Sequence, residues 1–308
     1  MIRVKDIAYV RLRAPDLDVA ERFLTDFGLA RSARTDTALY MRPSGPSHHA
    51  HVTELGPPGF VGFAFEAYSL DDLKTLSSAE AAGAVEAIGE PGGGHRVRVA
   101  DPDGFAVEVV HGIEAVPERP AALSDAYNWG RERARFGETK RLAPGPARVT
   151  RLGHVVFSTT DFARSDAFYK AHFGMISSDE VYPDARPDHT MMAFSRVDGG
   201  DEFVDHHTLA VMEGEDAAFH HAAFEVENID AVVLGHEHLR DKGYDHALGI
   251  GRHVLGSQVF DYWLDPWGRR HEHWTDGDLL NRASGTGRQP LSRAMGRQWG
   301  PTVPEHRS

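Results

Sequence analysis

Short runs in which apolar and polar residues alternate are interrupted at regular intervals by one amphipathic stretch, and the whole block recurs. Asp6 to Ala30 reads DIAYVRLRAPDLDVAERFLTDFGLA, and Arg151 to Ile176 reads RLGHVVFSTTDFARSDAFYKAHFGMI. In both, a period-two run predicts a β-strand and the following 3.6-period run predicts a helix closing on Phe-Gly. Asp18 and Asp161 precede the helical patterns, where a carboxylate can accept free backbone N–H groups. Gly28 and Gly174 follow them, where a left-handed cap carries little penalty.

A second pair of segments repeats as well. GFVGFAFEAYSLDDL (Gly59 to Leu73) matches AFHHAAFEVENIDAV (Ala218 to Val232), and VADPDGFAVEVV (Val99 to Val110) matches WLDPWGRRHEHW (Trp263 to Trp274). Each half of the chain therefore reads as two strand–helix–strands units, an α+β pattern. The expected division is an N-terminal domain over 1–135, a C-terminal domain over 136–280 and a tail over 281–308. Residues 113–149 are a Pro- and Arg-rich connector with helical character around Asp125 to Arg135. The tail is polar, lacks apolar periodicity and is a candidate lid.

Composition narrows the chemistry. The chain has 308 residues, 41% of them hydrophobic and 26% charged, which is globular composition with room for two domains. No apolar run is long enough to cross a bilayer and no signal peptide is evident, so a cytoplasmic location is expected. A net charge of −13 argues against nucleic acid as a partner. Cysteine is absent, which removes disulfides and thiolate ligands and leaves nitrogen and oxygen to hold any metal.

With 19 histidines, position has to separate ligands from bystanders. The repeat supplies the comparison. Tyr9 stands where the second half has His154, Gly62 where it has His221, and Glu108 where it has Glu272. The first half retains one candidate ligand of three. The second has two histidines and a carboxylate, the set that leaves open positions on one face of an octahedral ion and marks non-haem Fe(II) oxygenases. Alternation lets only one of His220 and His221 face a common site, and it places His271 and His273 opposite Glu272, so that pair is read as packing or surface residues.

The segment GRHVLGSQVFDYWLDPWGRRHEHW (Gly251 to Trp274) adds His253, Tyr262 and a DPWG turn (Asp265 to Gly268) before Glu272. It resembles the signature of the type I extradiol ring-cleaving dioxygenases, and four paired units resemble the vicinal oxygen chelate superfamily over roughly residues 5 to 276. That resemblance implies four βαβββ units paired into two domains, with the metal in the C-terminal one. It implies Fe(II), with Mn(II) as the other candidate, on His154, His221 and Glu272. The reaction implied is extradiol cleavage of a catechol-type diol by O₂ to a muconic semialdehyde-type product, in enzymes that are commonly homo-oligomers.

The resemblance also assigns acid–base work to a histidine 14 or 15 residues before the second ligand. In DHHTLAV (Asp205 to Val211) this points to His207, with His206 as the alternative and a weaker substrate contact. It gives His253 and Tyr262 the substrate oxygens. One departure is Asp261 before the tyrosine, where an apolar residue is usual; alternation turns it away from the pocket toward a basic neighbour. His246 is a further candidate contact at the pocket entrance. His48, His49 and His51 fall in a loop pattern, and His236 and His238 in a helical one. Phe194, Phe203, Trp263 and Trp267 suggest a hydrophobic catechol, and the tail with Trp299 is placed to cover the pocket. The competing readings are a glyoxalase-like metal-dependent lyase or isomerase, and a non-catalytic small-molecule-binding module of the same fold.

Overall fold

The computed structural model describes residues 1–79, 82–121 and 126–301. The first unit is β1 (Val4–Ala14), α1 (Leu17–Asp26), β2 (Ala30–Arg34), β3 (Ala38–Arg42) and β4 (His51–Leu55). The second is β5 (Gly59–Ala67), α2 (Leu70–Leu76), β6 (Glu86–Ala87), β7 (His95–Ala100) and β8 (Ala106–His111). A linker with a two-strand ladder, β9 (Asn128–Trp129) and β10 (Glu132–Arg133), leads to the second half. There, β11 (Val149–Thr159), α3 (Phe162–Phe173), β12 (Ile176–Tyr182), β13 (Met192–Arg196), the short β14 (Val204–Asp205) and β15 (Leu209–Glu213) form the third unit. The fourth is β16 (Ala218–Val226), α4 (Ile229–Asp241), β17 (His246–His253), β18 (Val259–Leu264) and β19 (Arg270–Thr275). The C-terminal segment adds β20 (Leu279–Leu280), β21 (Gly287–Pro290), α5 (Leu291–Ala294) and β22 (Arg297–Trp299).

The helices form where the apolar spacing demands it. In α1 the buried positions are Leu17, Ala20, Phe23 and Leu24, one stripe at i, i+3 and i+4 spacing. Its cap is Asp16, whose carboxylate accepts from the N–H groups of Asp18 and Val19, two residues earlier than expected. Burial of Leu17 pulls the helix start forward, and Asp18 instead pairs with Arg34 at 2.6 Å. In α3 the expectation holds: Asp161 accepts from Arg164 N–H at 3.0 Å, and Gly174 closes the helix at φ 69°. Gly28 has φ 115°, and a Cβ there would meet the carbonyl oxygen of Ala147 at 1.9 Å. That glycine lets the end of the linker lie directly against the end of α1.

Strands from the two N-terminal units make one eight-stranded sheet, β2-β3-β4-β1-β5-β8-β7-β6. The second half makes a ten-stranded sheet in the corresponding order, β21-β12-β13-β15-β11-β16-β19-β18-β17-β22. In each, β1 or β11 pairs in parallel with the last strand of its own unit and antiparallel with the first strand of the next. One apolar cluster runs through both halves, joining Phe23, Phe27, Phe63 and Phe65 to Phe157, Tyr169, Phe173 and Phe224. Among the described residues, no helix is long and apolar enough to cross a membrane.

Two expectations change. Residues 126–135 form a ladder rather than a helix, because the Asn128 side-chain oxygen accepts from both Ala134 and Arg135 N–H and closes a turn; Asp125 lies outside the described residues. The tail does not stand apart from the C-terminal domain at residue 280. Strand β21 adds in parallel to β12 and β22 pairs with β17, so both edges of the ten-stranded sheet come from residues beyond 280. Polar side chains hid this, since an edge strand gains its stability from main-chain hydrogen bonds.

Candidate metal centre

Register brings the three candidate ligands together. His154 on β11 lies opposite Ala223 of β16, and Ala223 lies opposite Glu272 of β19, so all three positions form one row across the sheet. His221 is two residues back along β16 and therefore on the same face. The N-terminal sheet repeats the register with Tyr9, Ala64 and Glu108 in the row and Gly62 in place of His221.

In the C-terminal sheet, His154 Nε2 and His221 Nε2 are 3.3 Å apart, and each faces Glu272 Oε2, at 3.3 and 3.1 Å. Edges of about 3 Å are what three neighbouring corners of an octahedron present when ligand atoms sit about 2.1 Å from an ion. Glu272 is fully buried, yet neither of its oxygens has a hydrogen-bond donor. A buried carboxylate without donors is costly unless a cation faces it. The residues therefore fit a divalent ion. Burial alone would push Glu272 up, but His154, His221 and His253 beside it hold it well below the usual carboxylate range. Burial lowers His221 to about 4, with Glu272 opposing the shift. Neutral imidazole and ionised carboxylate are the forms a metal needs.

The N-terminal counterpart shows what replaces the ion. Tyr9 Oη donates to Glu108 at 2.6 Å, and the guanidinium groups of Arg11, Arg96 and Arg98 lie within 3.1–3.2 Å of the same carboxylate. Arginine supplies the positive charge beside Glu108.

Around the C-terminal centre the sheet curls about a cavity of about 290 Å³. His207 lines it and packs its ring on His154, with centroids 4.1 Å apart. Burial, reinforced by His154, holds His207 well below 6.5. His253 Nε2 is 3.0 Å from Tyr262 Oη and 3.5 Å from Glu272 Oε1, and both side chains line the cavity. Burial and the Glu272 charge push the Tyr262 hydroxyl well above 10, so it remains a donor at neutral pH.

His206 points elsewhere: its Nε2 donates to Asp179 at 2.7 Å and it is absent from the cavity lining. His246 is also absent from it, although its neighbours Ala247 and Leu248 are present. Its ring turns to the opposite face and its Nε2 donates to Asp261 at 2.8 Å. His246 lies opposite Trp263, one residue on from Tyr262, so strand alternation carries it outward, whereas His206 sits in the bend between β14 and β15, where the Asp179 bond draws it away from His207.

His271 and His273 are fully buried, not surface residues. His273 Nε2–H donates to the Phe27 carbonyl at 2.7 Å, and His271 Nε2 meets His51 Nε2 at 3.3 Å, joining the two halves. His48, His49 and His51 are buried as well, with His49 packed against Tyr9 and Tyr40. His220 keeps contact with the site, since it lines the cavity edge and its Nδ1 lies 2.6 Å from His221 Nδ1.

Of the four aromatic residues expected near the pocket, only Phe194 lines it. Trp263 faces the core, Trp267 packs against the core's edge and Phe203 is exposed. The apolar wall is instead Val156, Met192, Met212, Leu248 and Leu255, with Arg270 at the rim. Ala294, Met295 and Arg297 of the C-terminal segment complete it, while Trp299 lies outside, under Arg252. Arg270 could have been found from alternation with Glu272; Arg297 carried no local signal.

Residues 6–109 and 151–272 match the family model described as Glyoxalase/Bleomycin resistance protein/Dioxygenase superfamily. The chain is 33% identical over 309 aligned residues to metapyrocatechase 2 of Cupriavidus necator, covering 98% of this chain and 91% of that one. The Mn(II)-bound glyoxalase of Novosphingobium aromaticivorans superposes with a TM-score of 0.81 at 22% identity, over 99% of this chain and 94% of that one. Homoprotocatechuate 2,3-dioxygenase of Brevibacterium fuscum, in complex with 3,4-dihydroxyphenylacetate, superposes at 0.78 with 21% identity, over 98% and 91%. At these identities the two structures share the fold and do not distinguish one chemistry from the other.

Proposed function

The chain belongs to the Glyoxalase/Bleomycin resistance protein/Dioxygenase superfamily and is an enzyme of its extradiol dioxygenase group; from that premise we propose that it opens a catechol-type ring beside its two hydroxyls, consuming O₂ and giving a muconic semialdehyde-type product. The observation that carries the proposal is the orphaned Glu272 carboxylate, flanked by two imidazole Nε2 atoms in a cavity that also presents His207, His253 and Tyr262.

His154, His221 and Glu272 would hold the ion, proposed as Fe(II) with Mn(II) as the alternative. When bound, it would supply redox contact between diol and O₂. The chain's own residues do the rest. His207, held neutral by burial, accepts the proton of a diol hydroxyl and returns it to oxygen as the ring opens. Tyr262, held protonated, donates to a substrate oxygen, and His253 at 3.0 Å orients that hydroxyl. Val156, Met192, Phe194, Met212 and Leu255 exclude water and favour a catechol with an apolar substituent.

Anaerobic loading of the purified protein with Fe(II), followed by a panel of substituted catechols and air, should give a yellow ring-fission product. Glu272→Ala should retain neither iron nor that absorbance. Full iron content and activity in Glu272→Ala, or no product with any catechol from the iron-loaded wild type, would sink the reading.

A further inference from the structure

Behind Tyr262, on the face of β18 turned away from the cavity, a second group of metal-ligating side chains converges. Asp261 is fully buried and reaches His236 of α4 and His246 at the start of β17. His246 Nε2 lies 2.8 Å from Asp261 Oδ1. His236 Nδ1 is nearly equidistant from the two carboxylate oxygens, at 3.2 and 3.1 Å. One ligand atom from each of the three residues lies within 4.8 Å of the other two.

We propose that His236 Nδ1, His246 Nε2 and the Asp261 carboxylate form a second divalent-metal site, suited to a zinc-class ion and separate from the His154, His221 and Glu272 centre.

Four features make this a built site. First, the donors come from three different elements and meet at a point, as ligands of a tetrahedral ion do. Zinc takes imidazole nitrogen and carboxylate oxygen at about 2.0–2.2 Å, which sets ligand-to-ligand edges of about 3.3–3.6 Å, and both imidazole nitrogens already stand 2.8–3.2 Å from the carboxylate. Second, the carboxylate is oriented from outside the set: the Trp263 indole N–H donates to Asp261 Oδ2 at 2.5 Å, the kind of outer-sphere bond that steadies a ligating carboxylate. Third, the backbone leaves room for it, because a Cβ on Gly249 would stand 2.4 Å from Asp261 Oδ1. Fourth, the site is open on one side. The His236 and His246 side chains are 22% and 31% exposed, which supplies an entry path and a place for a water as fourth ligand.

Two imidazoles and one carboxylate, without thiolate, suit zinc, and in a site free to become tetrahedral the order of divalent affinities places zinc above iron and manganese. The ion would clamp α4 to the β17–β18 hairpin. That hairpin carries His253 and Tyr262 on its other face, so loading the outer site would stiffen the strands that hold the cavity's polar pair.

The test uses the full-length protein stripped of metal and titrated with Zn(II) against a chromogenic chelator, with Co(II) absorption as a second readout. Wild type should bind two ions per chain. His246→Gln and His236→Gln, chosen because both side chains reach solvent and both changes are mild, should each bind one. His154→Ala should also bind one, and that remaining ion should give the intense visible bands of tetrahedral Co(II) and raise the Tm. The double variant His154→Ala/His246→Gln should bind none and show no rise in Tm. A wild type that binds one ion, a His154→Ala variant that binds none, or His236→Gln and His246→Gln variants that each still bind two would overturn the proposal.

Discussion

Three buried histidines join the two halves of the molecule, and their neutrality has a consequence for acid stability. His271 and His273 are fully buried; burial lowers each from 6.5 to about 4, with Asp265 opposing the shift at His271 and the Phe27 carbonyl opposing it at His273. His51, against His271, is held well below 6.5 by the same cause. The unfolded chain takes up these protons near pH 6.5, whereas the folded chain does not take up those of His271 and His273 until about pH 4. Between those limits the unfolded state binds more protons, so stability is complete above pH 6.5 and is lost as pH falls through the window. His271 and His273 each contribute about 1.4 kcal/mol per pH unit there, or roughly 3 kcal/mol in full. The perturbation is His273→Gln, whose side-chain N–H can still donate to Phe27 but cannot titrate. Urea unfolding of the metal-free proteins, followed together by tryptophan fluorescence and far-ultraviolet circular dichroism from pH 7.5 to 4.5, yields the slope of stability against pH. Active-site histidines contribute equally to both proteins and cancel in the comparison. Below pH 6.5 the variant's slope should be shallower by about 1.4 kcal/mol per pH unit, even if its stability at pH 7.5 is lower. Equal slopes would refute the reasoning.

The remaining predictions concern the site and its support. His207→Phe should keep its iron but lose turnover by about 10²–10⁴-fold, the usual worth of a general acid–base group, while His206→Gln, which loses the Asp179 bond and alters the 3.1 Å contact with His207 Nδ1 but leaves the His207 ring in the cavity, should cost far less. The reverse pattern in steady-state kinetics would reassign the role. Gly153→Ala places a methyl 2.4 Å from the ring of the buried Trp274, beside His154. Overpacking of this kind costs about 1–3 kcal/mol, and calorimetry should show a lower Tm with weaker metal retention; an unchanged Tm would contradict it.

The four-unit repeat was legible in the amino-acid sequence because its signals are local: period-two strands, one helical stretch per unit and the DPWG turn. From the repeat, the row of His154 and Glu272 and the inward face of His221 followed, since strand parity is a property of sequence separation alone. Parity also separated Tyr262 from Asp261, while the choice of His207 over His206 rested on the resemblance, since the two lie in a bend between β14 and β15. Other features depended on which distant strands meet, and no local pattern carries that information. Residues 287–299 read as a polar tail, yet they form both edges of the C-terminal sheet and bring Met295 and Arg297 to the cavity. Alternation showed that His271 and His273 leave the site, but only the packing of one half on the other buried them against His51 and Phe27. Likewise, Asp261 was expected to find a basic neighbour; that it found two histidines, one from a helix and one from the adjoining strand, was decided by the docking of α4 on the sheet, where burial of apolar side chains sets the geometry and the polar groups follow.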